Sequence, residues 1–436
     1  ELEREASADC ERRYTNRSQS KAAKVKGNTK TNKKADKLAQ SLRQKYDDFD
    51  RVLHDLRAAW LGRARDMDPK ELRHQMLEHL HNEEKAIMNR YRRWTTAQFE
   101  EIAVLGKGSF GTVHLVRCKV DKKLYALKRV GKSQYKRKNR GLAFTERDAL
   151  MHTSHTWCAQ LMCTFQDEDN LFFAMEFMQG GNLSTHLERC GRFTLQTTAF
   201  YMAELIEAVD AVHACGQVHR DLKPDNLMLT CEGHLKLLDF GLSATLQGEE
   251  ERRMVVGSPA YMAPESFQGR GLARADIWAI GIITYECLTG TIPYDYDPLE
   301  ASDMLDFFET KSRQIERWLP EKLDLAWDKQ STLGTKERDF NKACRFMKRV
   351  LRPDEKQRLS LEQCRQEEFF KEINFEFLEW EAAPIQIEVG ASIDTEYFDL
   401  LPPEPLPEPA ICPDPHMQWT DFNKDASFER MKGAGK

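Results

Sequence analysis

The segment HRDLKPDN, His219 to Asn226, decides how this chain is read, together with LLDFGLS, Leu237 to Ser243, a little further on. Between them they gather three aspartates, a lysine and an asparagine. Asn226 and Asp239 carry hard oxygen donors of the kind Mg²⁺ takes. Asp221 is suited to accept or orient the proton of an attacking hydroxyl. Lys223 is suited to neutralise charge building on a transferring phosphoryl group. The set points to phosphoryl transfer from ATP.

Working toward the N-terminus, GKGSFGTV places glycines at 106, 108 and 111 between two strand-like runs. Without Cβ atoms, backbone N–H groups there can approach phosphate oxygens. A hairpin with turn glycines would read the same way, so this motif counts only in company. Its company is Lys128 in YALKRV, on the next strand, and Glu146 in FTERDAL, on a following helix. A lysine that grips phosphates needs an anion to fix its ammonium, and Glu146 is placed to supply one. All of these motifs in this order are highly specific for phosphoryl transfer.

Composition agrees with a large folded chain. Its 436 residues are 41% hydrophobic, with 65 Lys and Arg against 70 Asp and Glu. That balance gives no global charge for binding nucleic acid. The 11 cysteines are scattered without a C-x-x-C pair, which argues against a disulfide framework or a zinc site. The most apolar run, ADIWAIGIITYECL, is too short to span a bilayer and carries Asp276 and Glu286. We expect a protein of a reducing compartment, with neither a membrane span nor a nucleic-acid partner.

Four segments are expected. Residues 1–36 read as a disordered basic arm. In 37–98, Leu38, Leu42, Tyr46, Phe49, Leu53, Leu56 and Trp60 form one helical stripe. DPKE at 68–71 starts a second helix. The two helices could fold back on the following domain as core, but Arg51, Arg57, Arg63, Arg65 and Arg73 on their outer faces favour a partner-binding hairpin. Residues 99–370 run from strands to helices, which predicts an α+β, bilobal fold. In 371–436 the prolines at 402, 403, 405, 407 and 409 forbid regular structure, so an extended tail that wraps a surface is expected.

Over about 99–370 the chain resembles eukaryotic protein kinases, and LAFTERDAL, LFFAMEFMQGGN and HRDLKPDNLMLT resemble the AGC group. The resemblance implies ATP and Mg²⁺ as cofactors, protein Ser/Thr hydroxyls as substrates, and Lys128, Glu146, Asp221 and Lys223 as the catalytic set. It implies nucleotide contacts from Leu105, Gly106, Gly108, Ser109 and Gly111. Val113, Ala126 and Met228 would sandwich adenine, with Glu176 to Met178 as hinge and Met175 as gatekeeper. It also implies pairing of Glu265 with Arg358, buttressing of the catalytic loop by Asp276, and substrate arginine binding by Asp225 and Glu286.

The flanks NRYRRWTTAQFEEIAVLG and DFNKDASFER resemble the NDR/LATS family. They imply a Mob-type coactivator on the N-terminal helices. They also imply a tail hydrophobic motif anchored by Phe422 and Phe428, with Ser427 the target of an upstream kinase. LAFTERDAL, FAMEF and VVGSPAYMAPE are most like the mitotic-exit and septation branch of fungi. A cytoplasmic protein is implied, with the spindle pole, division site and nucleus as family stations.

There are departures. The family's long insertion before Ala263-Pro264-Glu265 is missing, Met254 stands where an activation-loop Ser would be, Ala260 replaces an Asp, and Asn182 replaces an acid. Arg220, before the catalytic Asp221, wants an anion. Glu249, Glu250 and Glu251 are candidates to supply it, with Thr245 or Ser243 as alternative phosphate acceptors. A pseudokinase scaffold, or an AGC kinase outside NDR/LATS, is the competing reading.

Overall fold

Strand-forming runs on either side of the glycine-rich segment build the first layer. In the computed structural model, β1 (Phe99–Gly108), β2 (Gly111–Cys118) and β3 (Leu124–Gly131) form an antiparallel meander. The structure describes residues 94–108, 111–135, 140–153, 155–245, 254–270, 273–295, 303–388, 395–398, 400–401, 405–407 and 424–425. The basic arm, residues 37–93 of the helical region, Ser109, Glu249 to Glu251, Phe422, Ser427 and Phe428 lie outside the described residues.

Helix α1 (Arg140–His152) follows, then β4 (Leu161–Gln166) and β5 (Asn170–Glu176). The sheet order is β1-β2-β3-β5-β4-β10, with β10 (Lys424–Asp425) contributed by the tail. Lys128 pairs with Val113 on one side and Phe173 on the other, which sets it in mid-sheet. One cluster of this lobe stacks Trp94, Phe99, Phe165 and Phe172 in succession, with ring centroids 4.7 to 5.7 Å apart. Such offset aromatic stacks bury large apolar area in a fixed geometry.

The second layer is helical: α2 (Leu183–Cys190), α3 (Leu195–Ala214), α4 (Ala273–Thr289), α5 (Met304–Arg313), α6 (Ile315–Ser331), α7 (Glu337–Val350) and α8 (Leu361–Arg365). Helices α3 and α4 are apolar nearly all round, so they sit in the core. A Cβ on Gly281 of α4 would lie 2.7 Å from Val350 on α7, so the glycine permits their close approach. Short ladders β6 (Gln217–Val218) with β9 (Ala244–Thr245), and β7 (Leu227–Leu229) with β8 (Leu235–Leu237), frame the loops that carry chemistry. A sheet-rich small lobe and a helical large lobe are what the strand-then-helix order predicts.

The described parts of the tail lie along both lobes. The Tyr397 ring packs on His186, with the Arg189 guanidinium 4.5 Å from its centroid, and Phe398 packs on Phe177. Farther on, the Leu401 N–H donates to the Val104 carbonyl, Leu406 N–H donates to Glu101, and Pro407 accepts from Thr96. Beyond the prolines the tail makes β10, which pairs Lys424 with Thr164 and Asp425 with Cys163. This short strand departs from the expectation of no regular structure, because it borrows its hydrogen bonds from an existing sheet edge.

Candidate active site

Three elements meet at Lys128. It projects from β3, and its Nζ donates to Glu146 Oε1 of α1 at 2.7 Å and to Asp239 Oδ1 at 2.9 Å. Burial alone would lower the ammonium pKa, but the Asp239 and Glu146 carboxylates reverse this and hold it above its ordinary range. Asp239 is only part-buried; desolvation by itself would raise its carboxyl, yet Lys128 holds it below the usual range. It sits in the left-handed region at φ 57°, and its Oδ1 accepts the Gly241 N–H. A Cβ at Gly241 would come 3.1 Å from Asp239 Oδ1 and 3.5 Å from Glu146 Oε2, so glycine lets this turn close on the pair.

The catalytic loop leaves β6 through Arg220, at φ 68°. Asp276 of α4 holds it by accepting the backbone N–H groups of His219 at 3.0 Å and Arg220 at 2.9 Å. Asp276 is buried, which alone would raise its pKa. Its bond to His213 and the nearby His219 outweigh burial and keep it ionised. Asn226 donates its amide nitrogen to the Asp221 carbonyl and to Oδ2, so its amide oxygen is the atom that faces away as a hard donor. Ser258 donates its N–H and its hydroxyl to Asp221 Oδ1, and Lys223 reaches Ser258 at 3.0 Å and Asp221 at 3.3 Å.

The nucleotide side is built on tight backbone. Gly111 has φ 140°, and a Cβ there would lie 2.0 Å from the Arg129 carbonyl. Leu105, Gly106 and Gly108 lie on β1, Val113 on β2, and Ala126 on β3 opposite Met175. Met228 is on β7 in the other lobe, and Met178 is buried at the junction. Lys236 clasps both Glu176 carboxylate oxygens at 2.8 Å, and the Gln160 N–H also donates to Glu176. Asn226 and Asp239 supply two hard oxygen ligands, the number Mg²⁺ takes from protein when phosphates and water complete its shell. The residues therefore fit Mg·ATP: Asn226 and Asp239 would hold the metal and Lys128 the phosphates. The bound group would supply the transferable phosphoryl and its charge neutralisation.

In the switch region, backbone carbonyls engage Arg220. Arg220 donates Nε to the Leu242 carbonyl at 2.7 Å and Nη2 to the Ser243 carbonyl at 3.5 Å, so backbone takes part of its bonding capacity. Ser243 is 1% exposed, which makes it a poor phosphate acceptor. Thr245 is half-buried and pairs with Gln217 in the β6–β9 ladder. Arg358, fully buried, makes a two-bond pair with Glu265 at 2.6 and 3.1 Å and anchors the end of the activation segment. On the substrate side, Tyr261 donates to Glu286 at 2.7 Å, and burial pushes the Glu286 carboxyl up to about 7. Asp225 is exposed nearby. Asn182 caps α2 through Thr185 N–H at 2.8 Å, a structural use of that side chain.

Sequence reasoning missed the direct Lys128–Asp239 bond, the Glu176–Lys236 clasp and the Tyr261–Glu286 bond. Each joins residues far apart in the chain whose spacing carries no signal.

A cleft with this lysine–glutamate pair, paired loop aspartates and two-lobed frame is that of a phosphotransferase. The protein kinase domain profile matches residues 99–370, and the chain belongs to the protein kinase family. Its likeness within the family is to AGC-group Ser/Thr kinases of NDR/LATS type. It is 32% identical over 351 residues to serine/threonine-protein kinase cot-1 of Neurospora crassa, covering 69% of this chain and 56% of that protein. It is 41% identical over 204 residues to ribosomal protein S6 kinase alpha-3 of Homo sapiens, covering 45% of this chain and 27% of that protein. The chain thus spans about half, or less, of the length of these relatives. No helix among the described residues is long and apolar enough to cross a membrane.

Proposed function

We propose that this chain transfers the ATP γ-phosphate to Ser or Thr hydroxyls of proteins, with preference for basic sequences. We further propose that a Mob-type coactivator on residues 37–98 and an upstream kinase acting at Ser427 control it, in cell-cycle, cytokinesis or morphogenesis signalling. One observation carries the catalytic part: Lys128 bonds Glu146 and Asp239 together while Asp221, Asn226 and Lys223 share one hydrogen-bonded loop. Catalysis of this reaction is mostly positioning and electrostatic stabilisation, and this arrangement of groups supports the reading. Likeness to cot-1 supports the NDR/LATS part. The basic preference rests on Asp225 and Glu286, since bidentate Arg–carboxylate pairing gives selectivity.

The test is a peptide-array assay with Mg·ATP, combined with a pull-down using a Mob-type protein. Phosphate on Ser/Thr peptides with Arg or Lys enriched upstream supports the reading. Nucleotide binding without turnover favours a scaffold. Activity with no Mob capture leaves an AGC kinase outside NDR/LATS.

A further inference from the structure

The slot between the lobes has a ceiling and a floor. Ala126 lies on β3 of the upper sheet and Met228 on β7 of the lower ladder, and adenine would lie between them. Glu176 ends β5 and pairs with Tyr125, the neighbour of Ala126. Lys236 stands directly opposite Met228 across β7 and β8, so the two side chains share a face of the ladder. The Lys236 Nζ donates to both Glu176 carboxylate oxygens at 2.8 Å, and this ion pair joins ceiling to floor. The Gln160 N–H donates to Glu176 Oε1 at 2.7 Å, and the Glu176 N–H donates to the Gln160 carbonyl at 3.0 Å. The far end of the hinge is fastened differently. There the Gly180 N–H donates to the Leu229 carbonyl at 3.0 Å, and the Leu229 N–H donates to the Gly181 carbonyl at 2.8 Å. One end of the hinge is thus tied to the floor by backbone, the other by a side-chain pair.

We infer that Lys236 is a positioning residue for the nucleotide, acting through Glu176 to fix the spacing between Ala126 and Met228. This rests on the reading of those two residues as the adenine slot. A carboxylate turns about a terminal torsion that is broad and soft. With two bonds from Lys236 and one from Gln160, the Glu176 carboxylate has one orientation, and the start of the hinge is held over the floor. A slot whose walls drift apart is competent only part of the time, and its apparent affinity falls by that fraction. Lys236 therefore acts on the shape of the slot and not on the ligand.

The experiment is a double-mutant cycle in the whole chain with Lys236→Met, Glu176→Gln and both together. The probe is a ribose-labelled fluorescent ATP analogue, read for Kd and dissociation rate, beside KM for ATP and for peptide. We expect Lys236→Met to raise the Kd and the KM for ATP about fivefold, the scale of a part-exposed ion pair. Faster dissociation should account for most of the change. Peptide KM should stay as in the parent, which a general loss of fold would not allow. Glu176→Gln keeps an acceptor for Gln160 and should reproduce the loss alone, so the inference stays testable if Lys236→Met fails to fold. In that background Lys236→Met should add nothing, because residues in contact are non-additive. Lys236→Arg should restore affinity, since a guanidinium fork can take both carboxylate oxygens. Parent-like Kd in Lys236→Met, or equal loss in both backgrounds, overturns the clasp while leaving the slot standing. A parent chain that does not bind the probe rejects the slot, and the role of Lys236 with it.

Discussion

Ser258 gives both its backbone N–H and its hydroxyl to one oxygen of Asp221, each at 2.8 Å. The segment ending at Ala263-Pro264-Glu265 is thereby tied to Asp221, the group we propose orients the attacking hydroxyl. Ser258→Ala should lower kcat about tenfold by removing one bond to a charged group. Ser258→Glu should abolish turnover, since a second carboxylate beside Asp221 repels it. Peptide assays with matched melting curves check both; full activity of Ser258→Glu would dismiss the tie.

Asp239→Asn and Lys128→Ala should each cost orders of magnitude in turnover without unfolding the chain. Lys128→Ala additionally leaves buried Glu146 and part-buried Asp239 without their shared cation. Single-turnover rates measured with circular dichroism controls are the check. Wild-type-like activity of Asp239→Asn would remove it from the metal site.

Preference for basic substrates should depend on pH through Glu286, whose burial lifts its carboxyl to about 7. The charged form, which pairs with arginine, dominates above that value and is lost as pH falls through it. The ratio of kcat/KM for an Arg-containing peptide to that for its Ala counterpart should therefore rise with pH across neutrality. Glu286→Gln should flatten the curve. A flat ratio in the parent chain would show that Glu286 does not read the substrate.

Arg358 also donates to the carbonyls of Arg274 and Arg352. Removing one partner of a buried pair costs roughly 3–5 kcal/mol, because the other charge stays uncompensated. Arg358→Met should lower unfolding free energy by about that much in urea titrations. A change under about 1 kcal/mol would contradict a structural anchor.

The proposed tail switch makes Ser427→Ala strongly reduce activity while Thr245→Ala and Ser243→Ala leave it nearly intact. The Ser243 hydroxyl is buried with no hydrogen-bond partner among the described residues, so its loss costs little. Phosphosite mapping with kinase assays of the three variants decides. An activation-segment phosphate whose removal abolishes activity would place the switch there.

Local chemistry made the site readable in sequence. The residues from His219 to Asn226 and the Leu237 to Ser243 run carry their donors within one turn or ladder, so spacing alone sets them together. Strand and helix periodicity likewise foretold the two lobes, as in α3 and α4. What spacing does not encode is how distant segments close on one another. The Asp239 bond to Lys128 exists only once β3 and the turn at Asp239 close on each other. Arg220 was read as needing an anion because its charge is visible in sequence, whereas its carbonyl partners are set by the course of the chain.

The tail reaches both margins of the small-lobe sheet, Leu401 beside Val104 on β1 and β10 beside β4. Open margins are templates for pairing with another chain. A version trimmed to residues 99–370 would therefore present two unpaired strand edges per molecule, one at each end of the sheet. Such a fragment is two-headed: copies can join edge to edge without limit. Poor solubility of the isolated catalytic domain would then report lost edge protection rather than a defective core.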